Sequence, residues 1–282
     1  MGILREHYGT PVVIGGQGTL WPGLVEYPFA HIIQGEGETA FTHWLRGDPM
    51  PGTQVSQFAL CGVDSLNPPV RGTCSEVVPI LTSRGCPWQC AFCSSWPHWQ
   101  GVRYHSPEYV MAEVDGILRN YPHTRTLYLM DDTFAASMAR LQALAEPWFA
   151  RGYHKRLDLV GFIRASVFDR PVADLMKRMG FRWVRFGAES GSDRMLSLLN
   201  KQATVADHER TVAVANEVGL PICFSVMRDM PGETPEDVRL TDEFIERMRG
   251  RADVSGDYRF RAFPGAALWQ GESPLDEDMR VR

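Results

Sequence analysis

The chain has 282 residues, 44% of them hydrophobic, with 29 Lys and Arg against 34 Asp and Glu and a formal net charge of −5. That length and apolar share suffice for one sizeable core plus a small appendage. No stretch concentrates Lys and Arg, so the cationic footprint that phosphate-backbone binding needs is missing, and nucleic acid is not expected as a partner. The start lacks a charged, apolar and cleavable leader pattern and no run approaches the ~18 apolar residues of a membrane span, which predicts a soluble, cytoplasmic protein without a membrane partner.

Pro11 to Gly16 reads as a strand running into a Gly turn, Leu24 to Phe29 as a short helix, and His31 to Thr39 as the start of another strand and helix. Pro, Gly, Ser and Asn are frequent from Gly47 to Cys74, the pattern of an irregular linker with room for a short hairpin. From Val77 onward short apolar runs alternate with longer amphipathic segments, the signal of successive βα units on a parallel sheet. Strands are expected at Val77 to Leu81, Thr126 to Met130, Leu157 to Phe162, Arg182 to Phe186, Ile222 to Val226 and Asp257 to Ala262. Helices are expected at Pro107 to Leu118, Ala136 to Phe149, Pro171 to Met179, Asp193 to Leu199, Val205 to Val218 and Pro235 to Met248. Ser106-Pro107-Glu108 and Thr234-Pro235-Glu236-Asp237 each put a cap residue before Pro and acid in the first turn. Right-handed crossovers of six such units make an α/β fold, a partial (β/α)6 TIM-like barrel, in which the site belongs where strands end and loops begin.

One loop after the first barrel strand carries Cys86, Cys90 and Cys93 in Gly85-Cys86-Pro87-Trp88-Gln89-Cys90-Ala91-Phe92-Cys93, a C-x3-C-x2-C triplet. Three soft thiolates with no fourth cysteine in the loop suit an iron–sulfur cubane with one iron open to an exchangeable ligand. The competing reading is a zinc knot with His98 as fourth ligand, or three buried thiols. Of the other three among the six cysteines, Cys223 lies in an apolar run and reads as a packed strand residue, while Cys61 and Cys74 flank a loop.

The triplet resembles the signature of the radical S-adenosylmethionine (radical SAM) enzymes. The resemblance implies a [4Fe-4S] cluster held by Cys86, Cys90 and Cys93, whose open iron binds the amino and carboxylate groups of S-adenosylmethionine (SAM), and one-electron cleavage of SAM to a 5'-deoxyadenosyl radical. Phe92, between the last two cysteines, would pack beside the adenine. Later strand ends extend the likeness. Met130-Asp131-Asp132-Thr133-Phe134 stands by order where the family has its Gly-Gly-Glu segment, so Asp131, Asp132 and Thr133 would receive the SAM ammonium; a helix N-cap region is the plainer reading of those acids. Arg164, after the third strand, would pair with a carboxylate or simply start a helix.

Gly187-Ala188-Glu189-Ser190-Gly191-Ser192 resembles the family's G-x-E-S-G-S run, with Leu199-Asn200-Lys201 at the usual distance, and Glu189 and Ser190 would take ribose hydroxyls. In Asp229-Met230-Pro231-Gly232-Glu233-Thr234, Asp229 replaces the Gly of a G-x-P-G-E-T turn, so its backbone reaches left-handed geometry less freely. Ala262 and Phe263, in Arg261-Ala262-Phe263-Pro264-Gly265, resemble a segment whose backbone faces adenine.

Val12 to Thr19 and Gly35 to Thr39 are similar to the closing part of the cobalamin-binding domain that precedes many radical SAM cores. The expected organisation is therefore a Rossmann-like cobalamin-domain remnant at 1–46, a linker at 47–76, the radical SAM core at 77–270 and a tail at 271–282. So short a segment supplies too few strands for a whole cobalamin domain. No Asp-x-His-x-x-Gly run occurs; His98 and Gly101 have the H-x-x-G spacing, but Trp96 occupies the Asp position. A shortened chain, a cobalamin-carrying partner chain and loss of cobalamin all remain open. The resemblance implies radical methylation or carbon-centred rearrangement of a small metabolite or natural product, with flavodoxin or ferredoxin as reducing donor. Cobalamin-independent hydrogen abstraction and a non-catalytic Fe–S or zinc protein are the alternatives.

Overall fold

A computed structural model describes residues 9, 11–27, 29–50, 55–57, 62–69, 71–72 and 76–271, apart from the side chains of residues 17, 56 and 57. Cys61, Cys74, most of the expected linker and nearly all of the expected tail lie outside the described residues. The chain divides into two compact units: residues 1–66, 91–100 and 261–282 form the smaller, and residues 67–90 and 101–260 the larger.

In the smaller unit, β1 (Val13–Gly15), β2 (His31–Gln34) and β3 (Val55–Gln57) form a parallel sheet in that order. The stretch read as a linker therefore contributes a third parallel strand, where a hairpin had been the alternative. The expected helix at Leu24 to Phe29 is a 3-10 turn over Pro22–Glu26, with Pro at its start. Helix α1 (Gly37–Arg46) follows β2 and ends where Gly47 turns left-handed at φ 73°. The cysteine-loop segment of this unit holds the short helix α2 (Ser95–Trp99). The apolar cluster is small: Leu24, Phe29 and Ile32, with Val12, Ile14, Trp21, Tyr27 and Val55 against them.

The larger unit is built on six parallel strands: β4 (Val77–Ile80), β7 (Thr126–Leu129), β8 (Asp158–Phe162), β9 (Phe181–Glu189), β10 (Ile222–Arg228) and β11 (Asp253–Arg259). They lie in chain order across the sheet, the arrangement of the expected partial (β/α)6 barrel. The crossovers carry α3 (Pro107–Asn120), α4 (Met138–Ala150), α5 (Arg170–Met179), α6 (Asp193–Leu198), α7 (Val205–Glu217) and α8 (Pro235–Met248). Their starts follow from local chemistry. The Ser106 hydroxyl accepts the Tyr109 amide at 3.1 Å ahead of Pro107, and Thr204 with Asp207 and Thr234 with Asp237 close reciprocal capping boxes.

Strand alternation then sorts the side chains. Leu127, Leu129, Leu159, Val184, Phe186, Phe224 and Val226 point into the core with Val114, Ile117 and Phe244 from the helices. The opposite, helix-free face carries Tyr128, Phe162, Arg185 and Cys223, all half-buried.

In the larger unit, the last strand and a short ribbon differ from expectation. The last strand runs over Asp253–Arg259, so Ala262 falls beyond it, and β11 pairs with β10 alone. An edge strand covered on one side needs few apolar residues, and the apolar signal at Phe260 to Phe263 misplaced it. A two-stranded antiparallel ribbon, β5 (Ser83–Gly85) with β6 (Val102–Tyr104), was not expected. It closes the base of the excursion that holds the three cysteines.

Candidate active site

At the first two strand ends, the Asp131 carboxylate gathers the start of the cysteine loop. It accepts the Thr82 amide at 3.1 Å, the Thr82 hydroxyl at 2.9 Å and the Ser83 hydroxyl. Arg140 donates to the Thr82 carbonyl at 2.9 Å and lies over the Tyr104 ring at 5.0 Å, so a helix cation and the ribbon brace the same turn. Burial pushes the Asp131 carboxyl above its ordinary pKa, while the hydroxyls, the amide and Arg140 pull it down. Its oxygens are thus committed to the loop. Asp132 is exposed beside it, and Thr133, 6% exposed, stands 3.8 Å from the Cys86 sulfur.

Cys86 and Cys90 belong to the larger unit and Cys93 to the smaller. All three are half-buried and outside any disulfide. Each sulfur has a hydrogen-bonding group nearby: Cys86 shares a contact with the Thr133 hydroxyl, which itself donates to the Asp132 carbonyl at 2.7 Å, Arg164 Nη1 donates to Cys90 at 3.5 Å, and the Ser95 amide donates to Cys93 at 3.4 Å. Burial raises the Cys86 thiol, the charges of Asp132 and Cys90 raise it further, and the Trp88 backbone and Thr133 oppose them.

Among the described residues, no three His, Cys, Asp or Glu side chains are already gathered as a metal site. The fit to an iron–sulfur cluster rests on the donor set: three thiols of one short loop, with N–H and O–H groups to hydrogen-bond thiolate sulfur. Arg164 is 6% exposed, its guanidinium lies 4.5 Å from the Trp88 ring inside the cysteine loop, and Nε donates to the Ser166 hydroxyl at 3.2 Å.

The β9 end holds a buried ion pair, Lys201 Nζ to Glu189 Oε1 at 2.8 Å, with both side chains at or below 10% exposure. Glu189 turns left-handed at φ 65°, where β10 shows a register shift against it. A non-glycine residue pays strain there, and strain of this kind is kept where surrounding structure imposes it. A Cβ on Gly187 would stand 2.0 Å from Glu189 Oε1, so the absent side chain makes room for that carboxylate. Ser190 is fully buried; its hydroxyl contacts the Thr241 hydroxyl at 3.1 Å and accepts the Ser192 amide at 3.1 Å. Gly191 lets α8 close in, since a Cβ there would meet the Leu240 carbonyl at 2.5 Å. Ser190 is thereby tied to the helix behind the strand end.

Asp229 adopts φ 60°, the left-handed geometry that the replaced glycine would supply, and is held by its amide on Glu233 and its carboxylate on Arg259, both at 2.7 Å. In the smaller unit Phe92 is half-buried, Ala262 half-buried and Phe263 exposed. His98, the alternative zinc ligand, is 5% exposed and meets Trp99 edge-on at 4.5 Å. Lys201, Thr241 and Trp88 were not singled out in sequence; Lys201 had only its distance from the Glu-Ser-Gly run as a signal.

Parallel strands in sequential order, a cysteine triplet after the first strand and polar groups at the following strand ends define a βα-barrel protein of the cluster-binding class. Residues 80–245 match the radical SAM superfamily, and the chain belongs to it. That family is one of [4Fe-4S]- and SAM-using proteins. An uncharacterized methyltransferase of Pyrococcus horikoshii is 32% identical over 197 residues, 68% of this chain and 41% of that protein. The hopanoid C-3 methylase of Methylococcus capsulatus is 22% identical over 203 residues, 72% of this chain and 38% of that protein. The chain thus spans less than half the length of these curated relatives.

The fold matches that of the radical SAM methyltransferase TsrM from Kitasatospora setae with tryptophan and a SAM analogue bound, at TM-score 0.77 and 22% identity over 94% of this chain and 58% of that one. TsrM with cobalamin and a [4Fe-4S] cluster bound matches at TM-score 0.74 and 22% identity over 92% and 56%. Among the described residues no helix is long and apolar enough to cross a membrane.

Proposed function

We propose that this chain is the catalytic core of a radical SAM methyltransferase acting on a small metabolite, in the cytoplasm, with reducing equivalents from a flavodoxin- or ferredoxin-like donor. The observation that carries the reading is the cysteine loop: three thiols at C-x3-C-x2-C spacing, each sulfur next to a hydrogen-bonding group, at the strand end where barrel chemistry is performed. Cys86, Cys90 and Cys93 would hold the cluster, which when bound supplies the electron that cleaves SAM.

The remaining work falls to residues on the strand ends. Asp132 and Thr133 would take the SAM ammonium, Arg164 its carboxylate and Glu189 the ribose, and the resemblance assigns Phe92, Ala262 and Phe263 to adenine. Asp131 and Ser190 act behind them, Asp131 by fixing the cysteine loop and Ser190 by fixing the Glu189 turn onto α8. Methylation is favoured by the relatives named methyltransferase or methylase, and cobalamin, held by this chain or by a partner chain, would carry the methyl group.

Anaerobic reconstitution followed by product analysis tests this. The wild-type chain should retain about four irons and convert SAM to S-adenosylhomocysteine together with 5'-deoxyadenosine when cobalamin is added. Cys90→Ala should lose both iron and turnover. Retained SAM cleavage in that variant overturns the reading, and 5'-deoxyadenosine as the sole product, with or without cobalamin, moves it to hydrogen abstraction.

A further inference from the structure

On the helix-free face of the barrel sheet, one cation is paired with no anion among the described residues. Arg185 sits mid-strand on β9, opposite Phe162 of β8 and Cys223 of β10. Its guanidinium lies 5.3 Å from the Phe162 ring and 5.3 Å from the Trp183 ring, and Nε is buried without a hydrogen-bond partner. Among the described residues the Arg185 side chain forms no hydrogen bond and no ion pair, while its carbonyl accepts the Ile163 amide at 2.8 Å within the sheet. Neighbouring arginines behave otherwise: Arg182 pairs with Asp158 at 2.7 Å, and Arg228 with Asp242 at 2.8 Å and Asp257 at 3.0 Å.

Aromatic faces stabilise a guanidinium and fix its plane, but they accept none of its N–H groups, which point along the edge. A half-buried arginine held this way is pre-organised for a planar acceptor that two donors can grip together. Around it, Tyr128 packs on Trp183 with ring centroids 6.3 Å apart, and Val160 is buried on the same side of β8. The cation is thus framed by flat apolar surface. Over Gly187, next along the same face of β9, lies the Glu189 carboxylate, 2.0 Å from where a Cβ would stand, with Lys201 Nζ at 3.3 Å from that point.

We propose that Arg185 binds the carboxylate of the small-molecule substrate, and that this substrate is a carboxylic acid with a flat, apolar body lying against Tyr128, Phe162 and Trp183. The inference rests on the proposed function, because it places the substrate on the inner face of the barrel. A carboxylate fits better than a phosphate: a single unpaired cation matches one negative charge, whereas a dianion calls for more donors. The recognition is independent of the cysteines. Arg185 fixes which end of the substrate is held, and Glu189 with the strand-end loops fixes where SAM is held.

The test uses cluster-loaded protein and ligand-observed NMR with phenylacetate, 3-phenylpropanoate and indole-3-acetate, each against its neutral amide. At least one carboxylate should bind about tenfold or more tightly than its amide, as expected for a charge-assisted pair in a part-buried site. Arg185→Gln should abolish that preference and Arg185→Lys should keep part of it. In the wild-type protein, the Arg185 Nε–H resonance should shift with the carboxylate and not with the amide, a readout that needs no variant to fold. Equal binding of acid and amide, a preference that survives in Arg185→Gln, or an unmoved Nε–H resonance overturns the proposal. Wild-type protein that retains neither iron nor SAM sinks the proposed function instead, so the two failures are distinct.

Discussion

The two units solve the problem of burial at different scales. In the larger, strands of four to nine residues and six crossover helices share one continuous core, in which Phe186, Phe224 and Phe244 are fully buried with ring centroids 5.8 and 5.2 Å apart. In the smaller, three strands of three or four residues surround a cluster of Leu24, Phe29 and Ile32. Because buried surface grows faster than residue number, the first can hold strained and charged residues such as Glu189 at its strand ends, whereas the second has little stability to spare.

Truncating each core probes that contrast most strongly. Phe224→Ala should cost about 3–5 kcal/mol in denaturant unfolding, while Ile32→Ala, in a thin cluster that can collapse, should cost about 2 kcal/mol or less. Equal losses would break the comparison. Lys201→Met leaves the Glu189 carboxylate buried without its cation and should cost about 3 kcal/mol, whereas a matching apolar replacement of both partners should recover most of it. A double-mutant cycle in urea measures the difference, and a Lys201→Met loss near zero would mean that the strand end is open to water.

The smallest effect is a pH slope. His208 is fully buried between Phe186 and Phe244, neither ring nitrogen has a partner among the described residues, and burial holds its pKa down at about 3, with Lys201 adding repulsion. The unfolded chain binds this proton near pH 6.5 and the folded chain does not. Stability from this site is therefore complete above about pH 6.5 and declines as pH falls toward about 3, by up to ~1.4 kcal/mol per pH unit. His208→Phe should flatten the slope over that window in unfolding measured as a function of pH; an unchanged slope would place its cause in another group.

The larger unit was the more legible one, for the same reason that it is the better packed. Apolar runs marked β4, β7, β8, β9 and β10 because strands covered by helices must be apolar, and Ser106 and Thr234 announced helix starts because their hydroxyls have a backbone amide to satisfy. Where that pressure relaxes, legibility fell. The edge strand β11 is largely exposed and was placed too late, and β3 and the β5–β6 ribbon are too short for any periodicity to register. Asp229 shows the converse: its departure from glycine was visible in sequence, and the chain still adopts φ 60° there because Glu233 and Arg259 hold it.

Sequence alone determined the chemistry on offer: three thiols at fixed spacing, a run of βα units, and small and acidic residues at the strand ends. Those are local properties, set by neighbours a few residues apart. Only the tertiary structure decided which partners each charged side chain meets. Asp131 is bound by residues 48 and 49 positions away, Glu189 by Lys201 from beyond α6, and Arg185 by nothing but two rings. Burial and partnership across such distances are consequences of packing, and no window of sequence contains them.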